Sequence, residues 1–363
     1  MRLLIAGGGT GGHLYPGIAV AEELLGRGSG HSVLFAGTER GLEARVLPAL
    51  GLAFEPLRAR GLVGAGALGT VRALWAQALA LADARRILDA FRPDACLGVG
   101  GYSSFPVVAL AWLRRVPTAI QEQNARPGLA NRVLARVVRR VYAGDEAAAT
   151  LFPAEKVRVT GNPLRRALTA ALPYASPRPN EPARLLVVGG SQGARALNEA
   201  LPAALARISR PLAVVHQAGR GNAADVSARY GDRADVSVVE FIDDMASAYG
   251  RAHLVIARAG ALTLAELSSA GRPAVLVPFP FAAGGHQEAN ARAAEGRGAA
   301  VLILEPNLTP QGLAETLSAL LAAGDRLTAM AAAAERSARR DAAAAIVDDL
   351  FRLAAGQPGS RAA

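Results

Sequence analysis

Residues 2–17, RLLIAGGGTGGHLYPG, join a short apolar run to a glycine-rich turn and the start of a helical pattern. Glycines at a strand-to-helix turn let backbone N–H groups approach an anion, and the helix N-terminus adds partial positive charge. The spacing of Gly7 to Gly12 fits a dinucleotide loop, but His13 follows it directly. The stretch therefore predicts an α/β unit with an anion site, and it adds an imidazole that titrates near neutral pH.

The same alternation of apolar runs and helical patterns continues along the chain. Runs typical of buried strands lie at 2–6, 32–37, 95–100, 118–122 and 139–144, with helical patterns such as 17–27 and 71–91 between them. After a proline-rich connection at 174–182 the pattern restarts, with strands expected within 184–195 and at 212–219, 236–242, 254–260, 274–280 and 299–304. We expect an α/β fold with two Rossmann-like, doubly wound parallel-sheet domains that face each other across a cleft.

Length and composition narrow the class of protein. The chain has 363 residues, 51% of them hydrophobic, which is enough for two domains with cores of their own. Its single cysteine, Cys96, excludes a disulfide within the chain and fits a reducing compartment. The net charge of +10 favours an anionic partner, although a biased base composition would also produce an arginine-rich sequence. Without a signal-like start or an apolar run of about 20 residues, we expect a cytoplasmic protein, attached at most to a membrane surface.

A second glycine turn leaves two other enzyme classes open. Residues 189–193 satisfy the GxSxG pattern of serine hydrolases around Ser191, and Asp243, His253 and His286 follow in a workable order. A serine at a helix N-terminus is equally an ordinary cap and phosphate ligand. A nicotinamide-dependent dehydrogenase that uses the 7–12 loop is the other alternative, but Glu39 comes late for the ribose-binding acid that it needs.

Residues 257–280, ARAGALTLAELSSAGRPAVLVPFP, are the most informative stretch. They predict another helix that begins beside a strand end, where Thr263 offers a hydroxyl and an N–H to phosphate. Glu266 lies one turn further on the same face, and its two oxygens suit a ribose diol, although a solvent-facing glutamate would fit the pattern too. In the following helix start, residues 284–291, Gln287 and Asn290 share a face that suits sugar hydroxyls.

Eight segments, in this order, closely resemble the signature segments of the MurG family of glycosyltransferases. They are GGTGGHLYPG (8–17), GVGGYSSFP (98–106), EQNARPGLAN (122–131), TGNPLR (160–165), GGSQGARALN (189–198), EFIDDM (240–245), RAGALTLAE (258–266) and HQEANA (286–291). The resemblance runs from residue 1 to about 350, with Gln121 and Ala259 standing where the family often has His and usually has Ser.

The resemblance implies a GT-B fold and a peripheral membrane enzyme on the cytoplasmic side of the cell membrane. Such an enzyme transfers N-acetylglucosamine, with inversion, from UDP-N-acetylglucosamine to undecaprenyl-diphospho-muramoylpentapeptide, and so converts lipid I to lipid II. Residues 1–163 would form the acceptor and membrane-facing domain, and 164–339 the UDP-sugar donor domain. A helix near 340–355 would pack back on the first domain. The resemblance implies no cofactor, no metal and no nucleic-acid partner.

Site residues follow from matching the family motifs. The phosphate and acceptor loop would comprise Thr10, Gly11 and Gly12, with Tyr102 and Asn131 also in contact with substrate. The UDP-sugar site would comprise Asn124, Arg165, Ser191, Ile242, Ala261, Leu262, Thr263, Leu264, Ala265, Glu266, Gln287 and Asn290. Within it, the backbone of Ile242 would read uracil and Glu266 would bind the ribose.

Two groups are candidates for the base that the attacking hydroxyl needs. His13 suits the task because it titrates near neutral pH, although a loop-orienting role fits the same position. Glu122 is the second candidate, either as base or as a group that orients an acceptor hydroxyl. The Asp-x-Asp motif that is common in metal-dependent sugar-nucleotide enzymes is missing, and Asp243-Asp244 fits a helix cap better.

An apolar stripe with basic neighbours is the candidate membrane contact. Val71, Leu74, Trp75 and Leu79 share one helical face beside Arg72, Arg85 and Arg86, and Trp112 precedes Arg114 and Arg115. Such a combination docks on anionic lipid, but most apolar stripes face a protein core. Because the acceptor of the family is lipid-linked, we expect this stripe to dock on the membrane.

Overall fold

The computed structural model describes residues 1–39, 41–59, 67–170, 172–190, 192–282 and 285–356, and for 67–78 the backbone alone. The chain divides into two units. Unit 1 comprises Met1–Arg166 and Arg340–Ala363, and unit 2 comprises Ala167–Arg339.

Unit 1 contains a seven-stranded sheet in which every pair of neighbours is parallel. Its strands are β1 (Arg2–Ala6), β2 (Ser32–Thr38), β3 (Ala53–Leu57), β4 (Ala95–Gly98), β5 (Thr118–Glu122), β6 (Arg140–Ala143) and β7 (Val157–Val159). They lie in the order β3-β2-β1-β4-β5-β6-β7. The helices of the first 166 residues are α1 (Gly11–Gly26), α2 (Glu43–Ala49), α3 (Ala67–Phe91), α4 (Ser104–Leu113), α5 (Leu129–Leu134) and α6 (Glu146–Ala149).

Unit 2 contains a six-stranded parallel sheet with the same order of strands. The strands are β8 (Ala183–Val188), β9 (Leu212–Gln217), β10 (Val236–Val239), β11 (Leu254–Ala257), β12 (Ala274–Leu276) and β13 (Ala300–Leu302), arranged β10-β9-β8-β11-β12-β13. Its helices are α7 (Arg195–Leu205), α8 (Ala223–Tyr230), α9 (Met245–Arg251), α10 (Ala261–Ala270), α11 (His286–Gly296), α12 (Pro310–Ala322) and α13 (Gly324–Arg336). A last helix, α14 (Ala342–Ala354), belongs to unit 1.

This architecture confirms the predicted pair of doubly wound parallel sheets. In each unit the chain order reverses beside the first strand, between β1 and β4 and between β8 and β11. Ligands of such sheets bind at this switch point, beyond the carboxyl ends of the strands. The loops that follow β1, β4, β8 and β11 are therefore the places where each unit presents a site.

The apolar strands are buried on both faces. In β1, Leu3 and Ile5 pack on one side with α1 and α14, while Leu4 and Ala6 pack on the other with α3 and α4. This alternation follows from the two-residue period of a strand, and it explains why a fully buried strand has no polar face in the sequence.

A buried polar cluster fastens α14 to the sheet of unit 1. Asp349 is fully buried, and its carboxylate accepts hydrogen bonds from Arg140 Nε at 2.8 Å and from the Tyr142 hydroxyl at 3.0 Å. Arg158 lies 3.2 Å from the other carboxylate oxygen. A buried carboxylate with these partners fixes one docking position for the helix, because any other position would leave its charge buried without a partner.

In the part of the chain that the structure describes, no single helix is long and apolar enough to cross a membrane. Helices α12 and α13 pass the same test of length and composition when they are taken together, but they are bent by 93° to each other.

Candidate functional site

The loop after β1 brings His13 to the carboxyl end of the sheet in unit 1. The helix α1 begins at Gly11, so the first-turn N–H groups of Gly11 and Gly12 lack partners within the helix. His13 is the third helical residue, and its Nδ1 lies 3.0 Å from the Thr10 hydroxyl. Thr10 is exposed and His13 is half-buried. The predicted loop residues are thus next to one another at a helix N-terminus that can face an anion.

Gly100, in the loop after β4, makes room for the imidazole. Its φ is +93°, and a Cβ built on it would lie 2.9 Å from His13 Nε2. A Cβ on the neighbouring Gly101 would lie 2.9 Å from the carbonyl oxygen of Gly8. The loops after β1 and β4 therefore touch, and a side chain at residue 100 would displace the ring of His13.

Glu43 is a buried group that the sequence analysis did not identify. It is fully buried at the start of α2, and one carboxylate oxygen accepts from the N–H of Gly9 at 2.8 Å. The other accepts from the N–H of Thr38 at 2.8 Å and from its hydroxyl at 2.9 Å. Its only signal in the sequence is an acidic residue shortly after the second strand, a description that Glu39, which is exposed, fits as well.

Glu122 organises the loop that carries Asn124. Its buried carboxylate accepts from the N–H of Asn124 at 3.0 Å, the N–H of Gly128 at 3.1 Å and Asn131 Nδ2 at 2.9 Å. Asn131 is itself buried and also donates to the carbonyl of Gln121. The structure therefore brings Glu122, Asn124 and Asn131 together, with Asn124 the more exposed of the two asparagines.

Two further predicted residues lie in unit 1. The guanidinium carbon of Arg165 stacks 5.1 Å from the ring centre of Tyr15 on α1, which places Arg165 beside the helix that carries His13. Tyr102 is 43% exposed in the turn after β4.

In unit 2, the tight turn after β8 depends on glycines. Gly190 and Gly193 have φ of +82° and +76°, and a Cβ on Gly189 would lie 2.7 Å from the carbonyl oxygen of Gln217. Helix α7 begins only at Arg195. Ser191 itself lies outside the described residues.

The described residues give the serine hydrolase alternative no support. His253 lies at the amino end of β11, where its Nδ1 accepts from the N–H of Arg184 at the start of β8. His253 therefore lies at the amino end of the sheet, whereas the loop after β8 begins at the carboxyl end. Burial lowers the pKa of His253 to about 4, and Asp243 is exposed in the loop before α9.

The dehydrogenase alternative gains no support from the described residues either. A nicotinamide site needs an acidic side chain at the end of the second strand that is free to bind ribose hydroxyls. Glu39, which directly follows β2, is exposed, whereas Glu43, at the start of α2, is bonded to Gly9 and Thr38 of its own unit.

The N-terminus of α10 is a candidate anion site in unit 2. Gly260 is its N-cap and provides no side-chain hydrogen bond, so the N–H groups of Ala261, Leu262 and Thr263 face the end of β11. Residues 261–266, which include Leu264 and Ala265, are all half-buried. A helix N-terminus of this kind binds phosphate oxygens.

Glu266 is held by a tyrosine that the sequence analysis missed. The hydroxyl of Tyr249 on α9 donates to Glu266 Oε2 at 2.9 Å. Tyr249 is fully buried, and burial next to this carboxylate raises its pKa well above the usual range, so it remains a donor. Nothing in the spacing of α9 and α10 indicated the pair.

The remaining predicted residues of unit 2 lie around the same loop. Gln287 Oε1 accepts from the N–H of Phe279, and Asn290, which is buried, donates to the carbonyl of Ala259. Ile242 is half-buried in the loop after β10. Asp244 caps α9 by accepting from the N–H of Ser247 at 2.9 Å. Within the described residues, no group of three or more His, Cys, Asp or Glu side chains could hold a metal ion.

Part of the predicted membrane stripe can be located. Leu79 on α3 and Trp112 on α4 are 41% and 43% exposed, and Leu81 and Leu113 near them in the chain are exposed too. The side chains of Val71, Leu74 and Trp75 lie outside the described residues.

Two family models match this chain. The N-terminal domain model of glycosyltransferase family 28 matches residues 3–143, and the C-terminal domain model of the same family matches residues 184–346. Together they cover most of both units.

Relatives of the chain include a protein of Myxococcus xanthus, 47% identical over 352 residues that cover 96% of this chain and 92% of the relative. Another, from Anaeromyxobacter sp. strain Fw109-5, is 49% identical over 371 residues and covers 99% and 96% of the two chains. Both are named UDP-N-acetylglucosamine–N-acetylmuramyl-(pentapeptide) pyrophosphoryl-undecaprenol N-acetylglucosamine transferase.

Among solved structures, MurG of Acinetobacter baumannii is similar over 97% of this chain and 99% of its own, with a TM-score of 0.78 and 34% identity. A UDP-N-acetylglucosamine 2-epimerase of Neisseria meningitidis, 16% identical, shares the fold with a TM-score of 0.68 over 97% of this chain and all of its own.

Proposed function

The chain belongs to glycosyltransferase family 28, and we propose that it transfers N-acetylglucosamine from UDP-N-acetylglucosamine to N-acetylmuramyl-(pentapeptide) pyrophosphoryl-undecaprenol, as the names of its relatives state. The products are UDP and the lipid-linked disaccharide of peptidoglycan synthesis. The observation that carries the proposal is the N-terminus of α10, where free N–H groups and the Glu266 carboxylate lie at the end of one strand.

This arrangement suits a nucleoside diphosphate in unit 2. The N–H groups of Ala261 to Thr263 and the Thr263 hydroxyl bind phosphate oxygens, and Glu266 accepts from the ribose hydroxyls. Ile242 reads uracil through its backbone. Gln287 binds the sugar, while Asn290 supports the site by holding the carbonyl of Ala259.

His13 is the base in unit 1. The oxygen of the acceptor sugar hydroxyl forms a bond to C1 of N-acetylglucosamine, and its proton passes to the imidazole. The bond from C1 to the UDP oxygen breaks, and the electron pair leaves on the diphosphate. The N-terminus of α10 stabilises the extra negative charge on UDP. A single displacement of this kind inverts the α-linked donor to a β-linked product.

Glu122 positions the loop around Asn124 rather than acting as the base. Its carboxylate is buried and already accepts hydrogen bonds from Asn124, Gly128 and Asn131. A group that takes up a proton in catalysis would lose several of these bonds at once, whereas a loop anchor depends on keeping them.

The acceptor carries a lipid, so unit 1 works at a membrane surface. The exposed side chains of Leu79 and Trp112, with Arg85 and Arg86 nearby in the chain, suit docking on anionic lipid. We assign the protein to the cytoplasmic face of the membrane as a peripheral enzyme.

The function is tested with the purified protein, UDP-N-acetylglucosamine and a short-chain analogue of the lipid-linked acceptor. We expect mass spectrometry to show an acceptor heavier by one N-acetylhexosamine, with one UDP released for each transfer. Release of free N-acetylglucosamine with no change in the acceptor would contradict a transferase. A fluorophosphonate that labels Ser191 stoichiometrically would revive the hydrolase reading.

A further inference from the structure

Glu43 lies in unit 1 between the glycine loop after β1 and the carboxyl end of β2. In dinucleotide-binding units the pyrophosphate lies on the glycine loop after the first strand, and an acidic residue at the end of the second strand binds the ribose hydroxyls. Here the Glu43 carboxylate bridges these two places, with Gly9 on one side and the end of β2, at Thr38, on the other. The protein's own side chain therefore occupies this position.

Three glycines form the cradle around the carboxylate. A Cβ on Gly8 would lie 2.5 Å from the carboxyl carbon of Glu43, and one on Gly37 would lie 2.9 Å from its Oε1. Gly41 approaches the carboxylate in the same way. Because these three residues lack a Cβ, the carboxylate fits between the loops and is excluded from solvent.

The hydrogen bonds of Glu43 also fix the loop that precedes His13. Gly9 has a φ of +88°, a conformation that glycine adopts at little cost. Because glycine also adopts many other conformations, the loop needs a further contact to select this one. The N–H of Gly9 is tied to Glu43, and Thr10 and the first turn of α1 follow directly. A bond to a buried, charged acceptor is among the stronger hydrogen bonds in proteins, so it selects one loop conformation.

We propose that Glu43 is a positioning residue for the transfer reaction, with two effects. Its carboxylate fills the ribose position of unit 1, so unit 1 binds no nucleotide and the chain binds one nucleoside diphosphate in all. It also holds the loop of Gly9 in the conformation that presents Thr10 and the His13 imidazole to the acceptor. The second effect rests on the proposed function, whereas the first does not.

The substitution Glu43→Gln tests the positioning role with little change of shape. One end of the carboxamide is an NH2 group, which cannot accept from the N–H of Gly9 or from the two donors of Thr38. At least one side of the bridge is lost, and two donors then face each other. We expect kcat per UDP-binding site to fall about 10–100-fold, the range that a small misplacement of a catalytic group produces. The UDP affinity of unit 2 stays within about twofold, since α10 carries that site.

Glu39→Gln is the matched control, because Glu39 is exposed just beyond the same strand. We expect this variant to keep both kcat and UDP affinity. Equal kcat values for Glu43→Gln and Glu39→Gln, per UDP-binding site, would overturn the positioning role. Calorimetry with UDP, which needs no turnover, tests the other effect, and a second UDP site in the wild-type chain would overturn it.

A second variant with its own control is used if the thermal transition of Glu43→Gln shows that it fails to fold. Thr38→Val removes one donor to Glu43 and keeps the side-chain volume, so we expect kcat to fall several-fold with UDP affinity unchanged. Thr118→Val is its control, since the buried hydroxyl of Thr118 has no hydrogen-bond partner among the described residues. Equal kcat values for these two variants would also overturn the positioning role. An inactive wild-type protein that still binds one UDP would contradict the proposed function and leave the nucleotide exclusion standing.

Discussion

The imidazole of His13 is held from two sides, by the Thr10 hydroxyl at Nδ1 and by the bare backbone of Gly100 beside Nε2. Packing of this kind fixes the ring before substrate binds, which is what a positioned base requires. His13 is half-buried at a helix N-terminus, so part of its ring remains accessible to a substrate.

We predict that His13→Ala lowers kcat by about 10²–10⁴-fold, the usual contribution of positioned acid–base catalysis, while UDP affinity stays within a few-fold. The wild-type rate falls as the pH is lowered, because the base must be unprotonated. Steady-state rates between pH 5 and 9 check this. Residual activity of His13→Ala that keeps the same acidic limb would move the base assignment to another group.

At Glu266 the prediction concerns binding. Glu266→Ala should weaken UDP binding by about 1–3 kcal/mol, the cost of leaving buried hydrogen-bonding groups unpaired. Tyr249→Phe should weaken it less, because it frees the carboxylate without removing it. Calorimetry measures both, with Glu288→Ala as control, since Glu288 is exposed and pairs with Arg292 on its own helix. Equal UDP affinities for Glu266→Ala and Glu288→Ala would remove Glu266 from the ribose.

Sequence reasoning located residues that lie close together in the chain and missed those that meet across elements. Thr10, Gly11, Gly12 and His13 form one continuous turn, so their motif was visible. Tyr249 reaches Glu266 from another helix, and Glu43 reaches Gly9 across a strand boundary. No periodicity records such contacts, because they depend on how the chain folds around the sheet.

Among the elements, the central strands were predictable and two edge positions were not. β1 and β5 have the predicted bounds, since continuous apolar runs indicate strands buried on both faces. β3 contains Glu55 and Pro56 and is mostly half-buried, and β7 has only three residues, so neither has an apolar run. Most other strands end one to three residues earlier than predicted, because the runs continue into the turns that carry the sites.

A buried histidine links three elements of unit 2. His216 on β9 has its Nε2 at 3.0 Å from Asn198 Oδ1 on α7, and its Nδ1 at 2.9 Å from the Tyr230 hydroxyl on α8. Burial lowers the pKa of His216 to about 4. The unfolded chain binds this proton near pH 6.5, so between 6.5 and 4 it carries more protons than the folded chain. The free energy of unfolding therefore falls as the pH is lowered through this window.

We predict that His216 contributes about 1.4 kcal/mol per pH unit to this fall. Urea unfolding of wild type and His216→Gln between pH 7 and 4.5 measures the two slopes. The variant should be less stable at pH 7, since it disturbs the bonds to Asn198 and Tyr230, but its stability should depend less steeply on pH. His253, whose pKa is also lowered, remains in both proteins and accounts for part of the residual slope. Identical slopes would mean that His216 titrates normally in the folded protein.

On the scale of the whole molecule, both units contain a doubly wound parallel sheet, but we propose a different role for each. Both sheets have the same strand order and a glycine turn after the first strand. In unit 1 a buried carboxylate bridges that turn to the end of β2, whereas the helix N-terminus proposed for phosphate in unit 2 lies in a different loop, after β11. The repeated sheet topology could be predicted from the sequence. The difference between the two units could not, because it depends on the burial of the Glu43 side chain.

The arginine-rich chain and its exposed apolar side chains predict binding to anionic vesicles. The double variant Leu79→Ser, Trp112→Ser should bind such vesicles several-fold more weakly in co-sedimentation, with its melting temperature little changed, because both side chains are over 40% exposed. Leu151→Ser is the control, since Leu151 is another exposed leucine of unit 1, at 58%. A large drop in melting temperature would show that the two residues belong to the core instead.

The most direct test is the configuration of the bond that the enzyme makes. Proton NMR of the disaccharide formed from α-linked UDP-N-acetylglucosamine and the short-chain acceptor gives the anomeric coupling of the transferred sugar. With His13 as base and UDP leaving from the opposite face, the product is β-linked. An α-linked product would mean that the configuration is retained, and it would contradict a single displacement with His13 as base.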